Sequence, residues 1–186
     1  PNSFAASKSL PGALKESIIF WQNLPVDALK HLPDSIKGDT MKVLKLLEHR
    51  VRQGHEWDDL LPYVKENIRA DVDKLHLLKT EGHMALCDSG HRGLSDPDFM
   101  LLAVSLDVDA LKCASEHLLS QREFMLKAVK VNFDALKYAT KLPRKEQGPF
   151  WLDVVQLGST KLLRRAPLEL RSRADFMRMI VEGSKE

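Results

Sequence analysis

The segment "DPDFMLLAVSLDVDALKCAS" at residues 96–115 is followed by a second version of itself, "QREFMLKAVKVNFDALKYAT", at residues 121–140. Ten of the seventeen positions that pair residues 99–115 with residues 124–140 are identical. The phenylalanine near the start of this pattern occurs four times, at intervals of 25, 26 and 26 residues. A fixed period of this kind is typical of proteins built from stacked repeats. With the valine that follows each one, the four are Phe99 and Val104, Phe124 and Val129, Phe150 and Val155, and Phe176 and Val181.

Each repeat has the pattern of two short helices. Asp96 and Pro97 are typical of a helix start, because aspartate caps free backbone N–H groups and proline suits the first turn. Asp107, and Asn132 in the next copy, favour a turn between the two helices. Helices of about nine residues are marginal in water on their own, so each must pack against the next repeat. The sequence therefore predicts an all-α fold with a short α-solenoid of 25–26-residue helix-pair repeats, starting near residues 96, 121, 147 and 173.

Residues 1–95 are expected to form irregular helices that precede this solenoid. Asp39 is suited to cap a helix over residues 40–53, and Gly54 is suited to end it. Further helices are expected over residues 58–69 and 71–81.

Two segments of this first half resemble "VDALKCAS" at residues 108–115. They are "VDALKHLP" at residues 26–33 and "VDKLHLLK" at residues 72–79. The N-terminal half is therefore either a set of degenerate copies of the same unit or a separate helical region. The sequence leaves both alternatives open.

The tandem copies resemble the DUF4116 family of helical repeats. The resemblance is carried by a polar start, an apolar F-x-x-x-A-V segment, a small turn and an A-L-x-x-A-S segment. These features are matched over residues 96–142, and more loosely over residues 149–181, where Val154 and Ile180 replace the usual alanine. The resemblance implies a helical repeat module with no established activity, and it supplies no catalytic residue.

Composition and charge are those of an ordinary globular protein. Hydrophobic residues make up 44% of the chain and charged residues 29%, which argues against intrinsic disorder, and no apolar run is long enough to span a bilayer. Cys87 and Cys113 form neither a CxxC pair nor a disulfide framework, which predicts a reducing compartment. The start at Pro1 fits either a processed precursor or a piece of a longer chain. The expected location is the cytoplasm or the interior of a mitochondrion or plastid.

One short span carries four residues of metal-ligand type, His76, His83, Cys87 and His91. On one helix the last three would extend over about 12 Å, which is too long for a single zinc ion. The spacing favours a loop with partly exposed histidines over a metal site. No nucleotide-binding or hydrolase motif is present. The sequence therefore predicts no metal, no cofactor and no catalytic residue.

The last quarter of the chain is mildly basic. Residues 141–186 hold 10 Lys and Arg against 6 Asp and Glu, whereas residues 1–140 hold 18 against 20. A repeat array with a basic face can bind phosphate backbones, which makes an RNA-binding module the alternative function. A solvated face and an acidic protein partner are the other interpretations. The candidate basic face consists of Arg144, Lys145, Lys161, Arg164, Arg165, Arg171 and Arg173.

The position after each repeated phenylalanine is methionine or tryptophan. Such a stripe suits an adaptable partner-binding surface, and inter-repeat core is the alternative interpretation. The last copy stops after its first helix, so its apolar face must be covered by the body of the protein or by another chain. The sequence therefore predicts a non-catalytic protein–protein interaction module, a scaffold or accessory subunit whose partners are other protein subunits. The candidate partner-binding residues are Met100, Met125, Trp151, Phe176, Met177 and Ile180.

Overall fold

The structure, a computed structural model, describes residues 17–157, 166–172, 174 and 176–178. Over these ranges the regular secondary structure is entirely helical, with no strand among them, so the predicted all-α class is confirmed. None of the helices described is long and apolar enough to cross a membrane. The chain divides into two compact units, one up to Leu77 and one from Leu78 onward. The domain boundary predicted before residue 96 stays a prediction.

The N-terminal unit contains one longer helix, Thr40–Arg52, with a strongly apolar side. The helix is capped by Asp39, whose Oδ1 accepts a hydrogen bond from the Lys42 N–H at 3.0 Å. It ends just before Gly54, which has a φ of +96°, a conformation that glycine adopts without strain. The predicted cap and stop are thus confirmed. The α-helices are Ile18–Gln22, Asp34–Lys37, Thr40–Arg52, Trp57–Leu60 and Glu66–Glu81, which extends past Leu77, and the 3₁₀ helices are Val26–His31 and Leu61–Tyr63.

Helices were predicted over residues 58–69 and 71–81, and the boundaries of both are wrong. Leu61–Tyr63, which contains a proline, is a 3₁₀ helix rather than part of an α-helix. Val64, just after it, has an extended backbone with φ −85° and ψ 138°. One helix, Glu66–Glu81, then replaces the predicted break, because it contains neither glycine nor proline to interrupt it.

One charged side chain lies inside the N-terminal unit. Arg50 is 4% exposed, and no other polar or charged residue among those described is buried. Its guanidinium donates hydrogen bonds to the carbonyls of Trp21, at 2.8 Å, and Leu24. It also donates to Gln53 Oε1 at 3.3 Å. Burial lowers the pKa of Arg50, because desolvation penalises the charged form. The turn after the first helix is therefore fixed to Thr40–Arg52 through its carbonyl groups.

The C-terminal unit contains the repeated segments. We call Pro97–Leu106 and Val108–Lys112 the helix and the 3₁₀ helix of the first copy. Arg122–Val131 and Phe133–Lys141 are those of the second copy, and Arg144–Gln156 is the third-copy helix. The α-helices are His83–Asp88, Pro97–Leu106, Glu116–Leu119, Arg122–Val131, Arg144–Gln156 and Leu168–Arg171, and the 3₁₀ helices are Arg92–Ser95, Val108–Lys112 and Phe133–Lys141.

The first and second copies have the same local structure. Both helices are 10 residues long. The linking residues Asp107 and Asn132 have nearly the same backbone angles, φ −146° and ψ 117° against φ −149° and ψ 116°. Each side chain accepts a hydrogen bond from the N–H two residues further on, at 2.8 Å and 3.0 Å. This side-chain turn directs the chain from the α-helix into the 3₁₀ helix.

The second short helix predicted in each copy is present as a 3₁₀ helix. Its buried apolar residues are Ala110 and Leu111 in the first copy and Ala135, Leu136 and Ala139 in the second. Phe133, which begins the second 3₁₀ helix, is instead 49% exposed.

Residues that recur at the repeat period form the core of the C-terminal unit. The second-copy helix packs against the helices of both the first and the third copy. An ion pair adds to the second of these contacts, with Arg122 Nε 2.9 Å from Asp153 Oδ2. The large buried side chains of the three helices are Phe99, Met100, Phe124, Met125, Phe150 and Trp151.

Candidate functional site

Most residues predicted to bind a partner lie inside the C-terminal unit. Met100 and Met125 are fully buried, and Trp151 and Phe176 are almost so. These four side chains are therefore not available at the surface. They agree with the interpretation of the stripe as inter-repeat core, because the helix face that carries the repeated phenylalanine packs inward. Of the other two predicted residues, Met177 is 38% exposed and Ile180 lies outside the described residues.

The predicted basic face is described at only part of its length. Arg144 and Lys145 begin the third-copy helix and are exposed. Arg171 is exposed at the end of a short helix. Exposed cations of this kind bind phosphate or carboxylate groups, so both kinds of partner stay compatible with these three residues. Lys161, Arg164, Arg165 and Arg173 lie outside the described residues.

Cys87 and Cys113 are joined by a disulfide bond, with their Cα atoms 4.8 Å apart. The sequence spacing had indicated no disulfide framework, and this bond was not expected from it. The bond ties the helix His83–Asp88 to Cys113, which directly follows the first-copy 3₁₀ helix. The predicted reducing compartment stays a prediction.

The histidines of the same span make separate local contacts. His76 stacks on Trp57 with ring centroids 3.6 Å apart. His83 Nδ1 lies 3.6 Å from the Asp107 carboxylate, and His91 packs edge-on against the first repeated phenylalanine. Within the described part of the chain, no group of three or more His, Cys, Asp or Glu residues is arranged to hold a metal ion.

A cluster of polar side chains joins the 3₁₀ helices of the two copies. The Asp109 carboxylate accepts hydrogen bonds from Lys137, from Lys112 Nζ at 3.1 Å and from Tyr138 OH at 3.0 Å. These bonds, led by that of Lys137, hold the pKa of Asp109 well below its usual value. The bond from Asp109 raises the pKa of Lys137, and burial is the main cause that raises the pKa of Tyr138. The cluster is an electrostatic link between the copies.

Replacing Asp109 by asparagine is expected to lower the melting temperature at pH 7 and to have less effect in acid. A carboxylate whose pKa is depressed on folding stabilises the protein above its unfolded pKa, about 3.9. That contribution is lost as the pH falls toward the folded pKa. Melting temperatures of the wild-type and Asp109→Asn proteins are measured by circular dichroism. The difference between them should begin to shrink below about pH 4 and continue to shrink toward the folded pKa.

Lys137→Met is the matched variant for this prediction, because it removes the main donor to Asp109. The melting temperature of the double variant should fall by less than the sum of the falls in the two single variants, since both substitutions break the same interaction. Additive losses, or a wild-type advantage that stays constant into acid, would contradict the role assigned to this cluster.

The two copies differ only at positions that are partly or wholly exposed. Of the seventeen aligned positions in residues 99–115 and 124–140, seven are buried in both copies, and all seven are identical. The seven positions that differ are buried in neither copy. The core of the unit is thus constant while its surface changes. The differing pairs are Leu102 and Lys127, Ser105 and Lys130, Leu106 and Val131, Asp107 and Asn132, Val108 and Phe133, Cys113 and Tyr138, and Ser115 and Thr140.

Four of these differences fall together on the surface of the second copy. Lys127, Lys130 and Val131 stand at i, i+3 and i+4 on one face of its helix, and Phe133 follows after the turn. Val131 is 46% exposed and Phe133 is 49% exposed, and both lysines are exposed. We call these four residues the basic–apolar patch.

Neither the basic–apolar patch nor the Asp109 cluster was predicted from the sequence. Identity between the copies draws attention to the residues they share, and those are mainly core residues. The signal for the patch lay in the positions that differ, where a leucine, a serine and a valine of the first copy give way to Lys127, Lys130 and Phe133. The Asp109 cluster carried no such signal, because it depends on how the copies are placed against each other.

Comparison with known proteins identifies one family. Residues 96–142 match the sequence model of a family described as a domain of unknown function, DUF4116. The match spans both copies and ends at the residue that follows the second 3₁₀ helix. No curated protein and no solved structure matches the chain. The predicted resemblance is confirmed over these residues, and residues 96–142 are a DUF4116-type segment that consists of the two copies.

Proposed function

We propose that this chain is a non-catalytic protein–protein interaction module in which repeats of 25–26 residues stack as a short α-solenoid. Its role is that of a scaffold or accessory subunit of a larger assembly. The observation that carries the proposal is the division between a constant core and a changed surface in the two copies. An interaction module needs a rigid frame on which exposed residues vary, and recognition then depends on those exposed residues.

The stacking arrangement has three kinds of support in the C-terminal unit. The repeated phenylalanines of three successive helices are buried at the same register. The Asp109 cluster connects the 3₁₀ helices of adjacent copies. The Cys87–Cys113 bond ties the helix His83–Asp88 to the end of the first-copy 3₁₀ helix. Contacts between each repeat and the next are what hold a solenoid together.

RNA binding through the basic C-terminal face is the alternative function. Its support is the exposure of Arg144, Lys145 and Arg171, since cations displayed along a repeat array can follow a phosphate backbone. Salt separates the two functions. Phosphate contacts weaken steeply as salt rises, whereas an interface with a buried apolar centre survives.

The experiment is affinity capture of the protein from its native source, with parallel washes at low and high salt and with and without ribonuclease. We expect a fixed set of proteins that is retained at high salt and is insensitive to ribonuclease. RNA that is lost on raising the salt, and lost in an Arg144→Gln/Lys145→Gln variant, would support the alternative. A protein recovered alone and monodisperse under every wash would overturn the interaction proposal.

A further inference from the structure

We propose that the basic–apolar patch binds an acidic amphipathic helix of a partner protein. This inference rests on the proposed function, and it names the surface used and the chemistry of the partner. The patch consists of Lys127, Lys130, Val131 and Phe133, as defined above.

The apolar half of the patch consists of two exposed hydrophobic residues that are close together in the chain. Of the large hydrophobic residues that are exposed within the described part of the sequence, Val131 and Phe133 are the pair that lie closest in the chain. Their counterparts in the first copy, Leu106 and Val108, are half-buried. Adjacent exposed apolar side chains, rimmed by polar ones, mark interaction sites. The second copy thus presents apolar area that the first copy keeps partly covered.

The charge of the second copy determines the chemistry of the partner. Residues 96–116 hold 1 Lys and 5 Asp and Glu, a net of −4, whereas the equivalent residues 121–141 hold 5 Lys and Arg and 2 Asp and Glu, a net of +3. Charge complementarity across an interface favours a partner of the opposite sign. Within the chain, Lys137 of the second copy is already paired with Asp109 of the first. An acidic segment is therefore the complement of this surface.

The geometry favours a protein helix over a nucleic acid. Sites for single-stranded nucleic acid combine several cations with aromatic rings on which successive bases stack. The patch offers one aromatic ring, at Phe133, and Val131 has no planar face. The i, i+3 and i+4 spacing instead suits a second helix that lies alongside and presents its own apolar stripe.

The sharpest variants exchange the surfaces of the two copies. The patch-removed variant carries Lys127→Leu, Lys130→Ser, Val131→Leu and Phe133→Val. The matched control carries the reverse changes in the first copy, Leu102→Lys, Ser105→Lys, Leu106→Val and Val108→Phe, and keeps the original patch. Each new side chain is one that the other copy already holds at the equivalent position. Circular dichroism and melting temperature verify that both variants fold.

The probe is a phage library of random peptides of about 15 residues, long enough to form a helix, selected on the wild-type protein. We expect the selected peptides to carry net negative charge and apolar residues at i, i+3 and i+4. They should bind the patch-removed variant about tenfold more weakly than the wild type and bind the control variant at least as tightly as the wild type. Affinity is measured by fluorescence polarisation with synthetic copies of the peptides.

Three results would overturn the proposal, and each bears differently on the proposed function. Peptides that bind the patch-removed variant as well as the wild type would place the interaction elsewhere and leave the interaction function standing. Selected peptides without acidic excess, or no selected peptides, would overturn the proposed chemistry of the partner. The interaction function itself would still be tested by affinity capture from the native source. The third result is binding of a random single-stranded RNA pool that is lost in the patch-removed variant and weakens about 20-fold for a tenfold rise in salt. That result would identify RNA, rather than an acidic helix, as the partner.

Discussion

Replacing Phe124 by alanine is expected to lower the free energy of unfolding by about 3–5 kcal/mol. Phe124 is 3% exposed in the helix that packs against both neighbouring copies. The substitution therefore removes a buried ring and leaves a cavity that the surrounding helices fill only in part. For a chain of this length the melting temperature should fall by about 10 °C. Urea unfolding followed by circular dichroism measures the loss.

Phe133→Ala is the matched control for this prediction. It makes the same chemical change in the same copy, but Phe133 is 49% exposed. Its loss should stay below about 1 kcal/mol, because exposed substitutions leave no cavity. Equal losses for the two variants would contradict the assignment of one phenylalanine to the core and the other to the surface. The control also separates stability from recognition, since Phe133→Ala should fold normally and still weaken binding of the selected peptides.

Breaking the Cys87–Cys113 bond is expected to lower the free energy of unfolding by about 2–4 kcal/mol. The two cysteines are separated by 26 residues. Closing a loop of that length restricts the unfolded chain, and the chain-entropy relation gives about 3.5 kcal/mol. Cys87→Ser, Cys113→Ser and the double variant all remove the same bond. Their losses should therefore be similar and not additive.

The state of this bond in the native protein is measured by thiol alkylation and mass spectrometry. Protein isolated without reductant should resist alkylation and gain two labels after reduction. A double variant that loses the sum of the single losses, or cysteines that are already free in the isolated protein, would contradict the prediction. Free cysteines would instead agree with the reducing compartment expected from the sequence, because such compartments keep thiols reduced.

The helical class and the core of the two copies could be predicted because their signals are local. Asp39 caps the start of a helix through its side chain, and Gly54 ends the helix through its left-handed backbone angle. The repeat period identified Phe99 and Phe124 as equivalent before their surroundings were known.

The disulfide and the candidate interface could not be predicted in the same way. Pairing of Cys87 with Cys113 depends on how two segments lie side by side, which no single segment encodes. The methionine stripe suggested a surface, yet Met100 and Met125 are the same in both copies and buried. Residue type alone does not show whether a neighbouring copy covers a side chain. The patch became visible only when differences between the copies were combined with exposure.

Arg50 has a consequence for how the N-terminal unit can be shortened. A fragment that starts after Leu24 would lose the two backbone carbonyl groups that accept hydrogen bonds from Arg50, together with the helix Ile18–Gln22 that packs against Thr40–Arg52. The turn at residues 21–24 therefore belongs to the same cooperative folding block as Thr40–Arg52. As the protein is destabilised, the backbone amides of the two segments should lose their protection against hydrogen exchange together. The smallest autonomous piece of this unit must include the turn.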